Sequence, residues 1–386
     1  MRYAFWFPVV ALSGCGRADR PGPATTTVDS AGIQIVTSPG TDRPVAWNLR
    51  QVFLIGGADS GAASFTKAHP NGIAAAGGMF HLVNDDKQIV TFDSLGRSLR
   101  TVGRAGGGPG ELQFPGAITA ESDGSVGVFD YGKQGFVRFG ADGSVVPIWS
   151  LRALGQPWRW IKVRGDSIVI TTQAVDSGGV STISLKVAGP TDTVALTSNR
   201  QGGKAGMVDL GCVKLGGQPP IFSPGMAFDW NGREIAVAQR AEYEVSVYAG
   251  TKLTRLIRRT IAPSAATTEM VSRLYPDGYK ISFGDGGPPP CHVTAVDYAA
   301  RMGMAATVPV IDEVRFAPDG MLWVRRYAFP KEANRYDIFA ADGSYQGTLT
   351  AAGPVAGFPT NTIALMVLPD SATGGSQIAG YRIERR

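Results

Sequence analysis

The side chains best equipped for chemistry in this 386-residue chain are three cysteines, three histidines and a scatter of carboxylates. Their settings point to different kinds of work. Cys15 closes the run Leu12-Ser13-Gly14-Cys15, which follows Arg2 and an apolar stretch from Tyr3 to Leu12. Small residues before the cysteine let a signal peptidase reach the backbone, and the thiol then accepts a diacylglyceryl group. The apolar run is too short to span a bilayer as a stable helix. Residues 1–15 therefore read as a lipoprotein signal peptide with its lipobox, and a plain secretory signal is the alternative reading. Gly16, where an aspartate would indicate inner-membrane retention, points to the outer membrane.

Cys212 and Cys291 are left as an even pair in an exported chain, where such pairs are usually bridged. They stand before and after the same repeat unit, so the expected disulfide would pin the segment that follows that unit over the fold; two buried thiols are the alternative. His69, His81 and His292 fall on unrelated segments, which argues against a histidine metal centre. The sequence has no Gly-x-Ser-x-Gly, no His-Glu-x-x-His, no Cys-x-x-Cys and no Gly-x-x-x-x-Gly-Lys-Ser/Thr. The glycine run 103–110 lacks the lysine and the following helix of a phosphate cradle and reads as a linker. That leaves the oxygen-bearing side chains Asp85, Glu111, Asp130 and Asp229, with Asn84, to be accounted for. Each has a structural reading: turn acids cap backbone amides, and Glu111 braces its linker against Arg104.

The elements that position these residues come from a repeat. From Val102 to Val146 an apolar strand, an Asp123-Gly124 turn, a second strand to Phe129, a third carrying Phe136 and Phe139, an Asp142-Gly143 turn and a fourth strand follow in order. Asp-Gly between alternating apolar runs is a strong hairpin signal, because both turn positions need positive φ. The first turn recurs as Gly77-Gly78, Gly165-Asp166, Asn231-Gly232 and Asp319-Gly320. The later turn recurs after Phe92 and Phe339. Four strands every 40 or so residues predict β-propeller blades, and one blade cannot bury both faces alone.

The linker Gly106-Gly107-Gly108-Pro109-Gly110-Glu111, then Phe114-Pro115, the Asp-Gly turn and Val128-Phe129-Asp130, resembles an NHL-repeat blade. The wider pattern is similar to the bacterial six-bladed β-propeller lipoproteins, whose mature chains often begin with a strand like Asp29–Val36 here. The resemblance implies a fold and no agreed substrate. It also implies an alternative: six-bladed lactonases and related hydrolases hold a divalent metal at the channel mouth through Glu, Asp and Asn, and the resemblance makes Asp85, Glu111, Asp130 and Asp229, with Asn84, the candidate ligands here. No cofactor is otherwise expected.

The fold class predicted is all-β, a six-bladed propeller of four-stranded antiparallel blades. Five complete blades lie at 72–102, 117–149, 160–196, 226–261 and 314–349. The sixth is closed by both termini, with Val52–Ile55 as its outermost strand and Thr362–Leu368 and Ile378–Ile383 inside it. Residues 16–30, rich in Pro, Thr and Gly, read as a disordered tether, and Ile33–Val36 as a strand. Residues 31–386 form the propeller, with an insert at 263–309 holding one short helix over Thr267–Tyr275.

Charge is +5, from 37 basic and 32 acidic residues with no polybasic run, which gives no footprint for nucleic acid. Trp149, Trp158, Trp160, Trp230 and Trp323 fill spaces between blades or, if exposed, stack on sugar rings. The loops between second and third strands share a face with the blade linkers. That face would carry Asp85, Lys87, Arg104, Glu111, Tyr131, Lys133, Arg240, Tyr243, Arg326, Tyr327 and Lys331. Mixed charge with tyrosine suits a protein, peptide or glycan of the envelope. The expected function is thus a lipid-anchored binding or scaffold module, with a metal-dependent hydrolase or lactonase-like enzyme as the alternative.

Overall fold

A computed structural model describes residues 25–56, 65–68, 70–151, 157–177, 180–189, 192–201, 207–216, 218–282 and 289–385. The lipobox with Cys15, the stretch 16–24, His69 and the side chains of Trp149, Trp158 and Trp160 lie outside them. The fold is an all-β propeller of six blades. Blade one runs from Ile73 to Val102 and blade two from Pro115 to Ser150. Blade three covers Pro157–Gln201, blade four Ala227–Arg259 and blade five Ile311–Ala351. Each is an antiparallel meander whose first turn sits where the recurring turn pair falls. At Asp123-Gly124 and Asp319-Gly320 the glycine takes positive φ and the aspartate does not, a correction to the expectation that both positions would. Gly124 and Gly320 take φ of 90° and 83°, which a β-carbon would strain.

Blade six is closed as expected, with one correction. Its order is Trp47–Ile55, Ser376–Arg385, Ile363–Pro369, Val355–Thr360. The innermost strand, Val355–Thr360, was not foreseen; its Phe358-Pro359 reads as a break in sequence, and the strand exists because its neighbours supply pairing and burial. The core is a ring of apolar clusters between adjacent blades, such as Val169, Ile183 and Leu185 of blade three against Phe228, Ile235 and Val237 of blade four.

Two further expectations change. The tether gives way at Thr26: Thr26–Ser30 is a strand paired antiparallel with Ile33–Ser38 across a turn at Ala31 and Gly32, with φ of 54° and 78°. All five of its residues are exposed, so no apolar alternation announces it. Ile33–Ser38 then lies parallel to Lys252–Arg259, extending blade four to six strands. From there the chain bridges Pro44 to Thr348 on blade five and continues into blade six. The N-terminal segment is therefore a strap over three blades.

The insert holds two helices, not one. The first, α1, is Thr268–Leu274, capped by Thr267; the second, α2, is Ala295–Met302, capped by Thr294 with Asp297 in its first turn. Residues 207–216 and 218–225, ahead of blade four, join them. Val208, Leu210, Phe222, Val271, Tyr298 and Met302 share one buried cluster. Cys212 and Cys291 form a disulfide across it, with 5.5 Å between their Cα atoms. This cap stands on the end of the ring where the innermost strands begin, called the upper face below.

Candidate ligand-binding site at the upper channel mouth

The six innermost strands enclose a channel that opens into a vestibule at each end. The upper vestibule, about 940 Å³, is walled by the starts of the innermost strands of blades one, two and five and by the ends of their second strands. Asn84, Asp85, Tyr131, Asp312, Glu313 and Arg325 contribute polar groups to it. The lower vestibule, about 860 Å³, is reached past the first hairpin turns and is lined by Lys162, Arg164, Asp229, Arg233 and Arg315 among others.

Between the two runs a chain of alternating charges. Asp312 lies 2.5 Å from Arg325, and Arg325 lies 3.2 Å from Glu313, a contact too poorly angled to be a hydrogen bond. Glu313 accepts two bonds from Arg315, at 2.9 and 2.6 Å. Asp229 is held by Lys162 at 3.0 Å and accepts the Phe316 N–H at 2.8 Å. Burial pushes the Asp229 carboxyl up, but Lys162 and Arg315 outweigh it and hold its pKa below the usual value. Burial pushes the Lys162 ammonium down against the pull of Asp229, although 30% of the side chain still faces the lower vestibule. Charges this deep persist only when paired. Sequence reasoning did not single out Lys162, Asp312, Glu313, Arg315 or Arg325 as a set. The available signal was charge inside apolar strands: Asp312, Glu313 and Arg315 interrupt Ile311–Phe316.

The four carboxylate candidates are not brought together, and among the described residues no three His, Cys, Asp or Glu side chains are grouped to hold a metal. Asp130 accepts backbone N–H groups of Gln113, Phe114, Gly132 and Lys133. Glu111 pairs with Arg104 at 2.8 Å and accepts the Gly108 N–H; that N–H and Arg104 hold its carboxyl below the usual range. Asp85 accepts both the N–H and the hydroxyl of Thr66. Asp229 belongs to the buried chain. A fixed cap or ion pair is the physical role each oxygen already fills.

The binding-face residues divide in the same way. Tyr131 is 47% exposed at the vestibule, edge-on to Phe129 and laid over Gly116; Phe114 beside it is 67% exposed. Lys133 donates to the Gly108 carbonyl and Lys87 to that of Gln113, so both brace the linker. Arg240 pairs with Glu244 at 3.0 Å. Three expectations are corrected. Tyr243 is buried, where burial and then Asp337 push its hydroxyl pKa up, and it presents nothing to a partner. Arg326 is held by Asp337 at 2.9 Å and by Asp42 at 3.0 Å. Tyr327 packs edge-on to Phe222 and Phe329 in the cap. Lys331 is exposed, with φ of 71°. Trp323 is fully buried against Trp47, Tyr336 and Phe358, a filler between blades five and six.

With the fold and its channel described, the class is plain: a six-bladed β-propeller with a disulfide-stapled cap on its upper face. Its likeness to known proteins lies in that fold. A Bacteroides fragilis protein described as exported aligns over 91% of this chain and 99% of its own at 9% identity, with a TM-score of 0.52. A member of the DUF4221 family from Bacteroides vulgatus aligns over 89% and 100%, at 9% identity and a TM-score of 0.45. A gluconolactonase from Xanthomonas campestris aligns over 90% and 98%, at 13% identity and 0.38. No family model matches the sequence. No curated protein matches it either. Among the described residues no helix is long and apolar enough to cross a membrane.

Proposed function

We propose that this chain is an exported envelope protein, lipid-anchored at Cys15 and NHL-like in its repeats, whose upper vestibule binds a protein, peptide or glycan. The observation that carries it is the contrast at the channel mouth. The carboxylates there are tied to backbone amides or cations, whereas Tyr131, which lines the open cavity of about 940 Å³, stays exposed. Exposed aromatic rings over a rigid polar rim give contact area at little entropic cost.

Two measurements test the reading. Expressed with its leader, the chain takes up labelled fatty acid and loses that label in Cys15→Ala; equal labelling in both removes the anchor. On arrays of envelope peptides and glycans, Tyr131→Ala weakens every bound ligand about tenfold or more, as loss of a central aromatic contact does, with melting little changed. A chelator-sensitive hydrolysis by the purified chain that survives Tyr131→Ala replaces the binding module with the hydrolase.

A further inference from the structure

The lower vestibule, about 860 Å³, is lined by four cations, Lys162, Arg164, Arg233 and Arg315, and by three carboxylates, Asp229, Glu234 and Asp319. Each carboxylate is already engaged. Asp229 has Lys162 and the Phe316 N–H, Glu234 has Arg255 at 3.5 Å, and Asp319 has Arg385 and the Met321 N–H. The cations are not matched in the same way. Arg315 is held by Glu313, but Arg164 and Arg233 make no ion pair or side-chain hydrogen bond among the described residues. Glu121 feels the charge of Arg164 beyond ion-pair range and accepts the Gly165 N–H instead. An ammonium carries three N–H groups. Among the described residues Asp229 is the single partner of Lys162, whose side chain keeps 30% exposure toward the vestibule. Local structure holds these charges together. Arg164 lies over the first hairpin turn of blade four, where a β-carbon on Gly232 would stand 3.2 Å from its Cδ and 3.4 Å from its Nε. Gly232 thus seats Arg164 beside Arg233, the next residue in the chain. Burial lowers the Lys162 pKa, Asp229 raises it, and Arg315 and Arg164 lower it again, so Lys162 lies within the field of both arginines. Like charges gathered in a recess repel until a counterion arrives, and the recess focuses their field outward.

We infer that the lower vestibule binds a small anion, whose carboxylate or phosphate group is taken by the Lys162 ammonium and by the guanidinium groups of Arg164 and Arg233. Planar guanidinium forks match either oxyanion, and hydrogen bonds between opposite charges are the strong ones. Other occupants fit worse. A cation meets carboxylates that already have partners, and a neutral apolar ligand strips water from three charges without replacing it. The site lies at the opposite mouth from Tyr131 and does not depend on recognition there.

The test titrates the full-length chain with inorganic phosphate and with succinate, by calorimetry at constant ionic strength. One-to-one binding of at least one of them is expected, and neutral succinamide is expected to give no binding heat. The anion that binds identifies the group. Arg164→Gln and Arg233→Gln are each expected to weaken that anion about tenfold, the scale of one charge-assisted hydrogen bond. Melting should stay unchanged in both, because neither side chain holds a partner within the chain. Lys252→Gln removes an exposed charge from the fourth strand of blade four, outside the vestibule, and should bind as the unaltered chain does. Failure of both anions to bind overturns the inference, as does equal binding of succinamide. Equal weakening in Lys252→Gln also overturns it, since the attraction is then diffuse surface charge. Unaltered binding in both arginine variants places the anion elsewhere and overturns it too.

Discussion

Blades two and five place the same residue types in the same upper loops and use them differently. In blade two the contacts are short in sequence: Arg104 reaches Glu111, Lys133 reaches the Gly108 carbonyl, and Asp130 caps amides from Gln113 to Lys133. In blade five Arg326 shares Asp337 with Arg259 of blade four, and both arginines hold Asp42 of the N-terminal strap. Asp42 and Arg326 are 284 positions apart. Burial raises the Asp42 carboxyl pKa, but Arg326 and then Arg259 outweigh it and hold it down. Blade two braces itself, while blade five is braced by chain that arrives from the other terminus. A substitution at equivalent loop positions therefore tests local structure on one side and ring assembly on the other.

The widest separation between the two sides comes from the closing blade. Ending the chain before Ser376 removes the strand that joins Trp47–Ile55 to Ile363–Pro369, opens a sheet edge and leaves Trp47–Ile55 without its partner. Global unfolding or aggregation is expected, and a truncated chain that melts like the full one disposes of closure by both termini.

Next in size is Asp337→Asn. The carboxylate is fully buried beside Arg259, whose side chain is also fully buried, so its loss leaves two arginines short of a countercharge. About 3–5 kcal/mol is expected, read by denaturant unfolding. Asp130→Asn in blade two is the matched control; a comparable loss there erases the distinction between the blades.

Opening the cap sharpens the comparison more locally. Reducing the Cys212–Cys291 disulfide, or Cys212→Ser with Cys291→Ser, releases a closure across 79 positions worth about 2–4 kcal/mol in an unstrained case. Hydrogen exchange should rise first in α1 and α2 and last in blades one and two. Uniform loss of protection would mean that cap and ring unfold as one unit.

The smallest effect belongs to the self-braced side and depends on pH. His81 of blade one is fully buried beside Thr91, and burial, with Arg100 second, lowers its pKa from 6.5 to about 4. The unfolded chain therefore binds a proton between pH 6.5 and 4 that the folded chain refuses, and stability falls as pH drops through that window. At pH 5.5 the loss is about 1.4 kcal/mol, one pH unit below the unfolded value. His81→Asn should flatten this slope, and an unchanged slope assigns the acid sensitivity elsewhere.

Much of the fold was legible because hairpins are local. Asp123-Gly124 and Asp142-Gly143 carry their turn geometry within a few residues, and the alternation around them shows which side faces the next blade. Thr26–Ser30 was not legible, since its exposed side chains leave no pattern and its hydrogen bonds depend on a partner. Helix α2 was passed over although Thr294 and Asp297 mark its start. At the candidate site, Tyr131 and Asp85 were within reach as loop residues of a repeat. The chain from Lys162 to Asp312 was not, because each member looks like a solitary charge in its own strand.

Sequence alone thus determined the repeating four-stranded unit, the number of blades and closure through both termini, since turn conformation, strand alternation and repeat period are all written within one unit. Only the tertiary structure decided which charges meet, and that the N-terminal segment straps blades four, five and six. Those pairings join residues that are distant along the chain, and their partners are set by the curvature of the closed ring, which no single repeat contains.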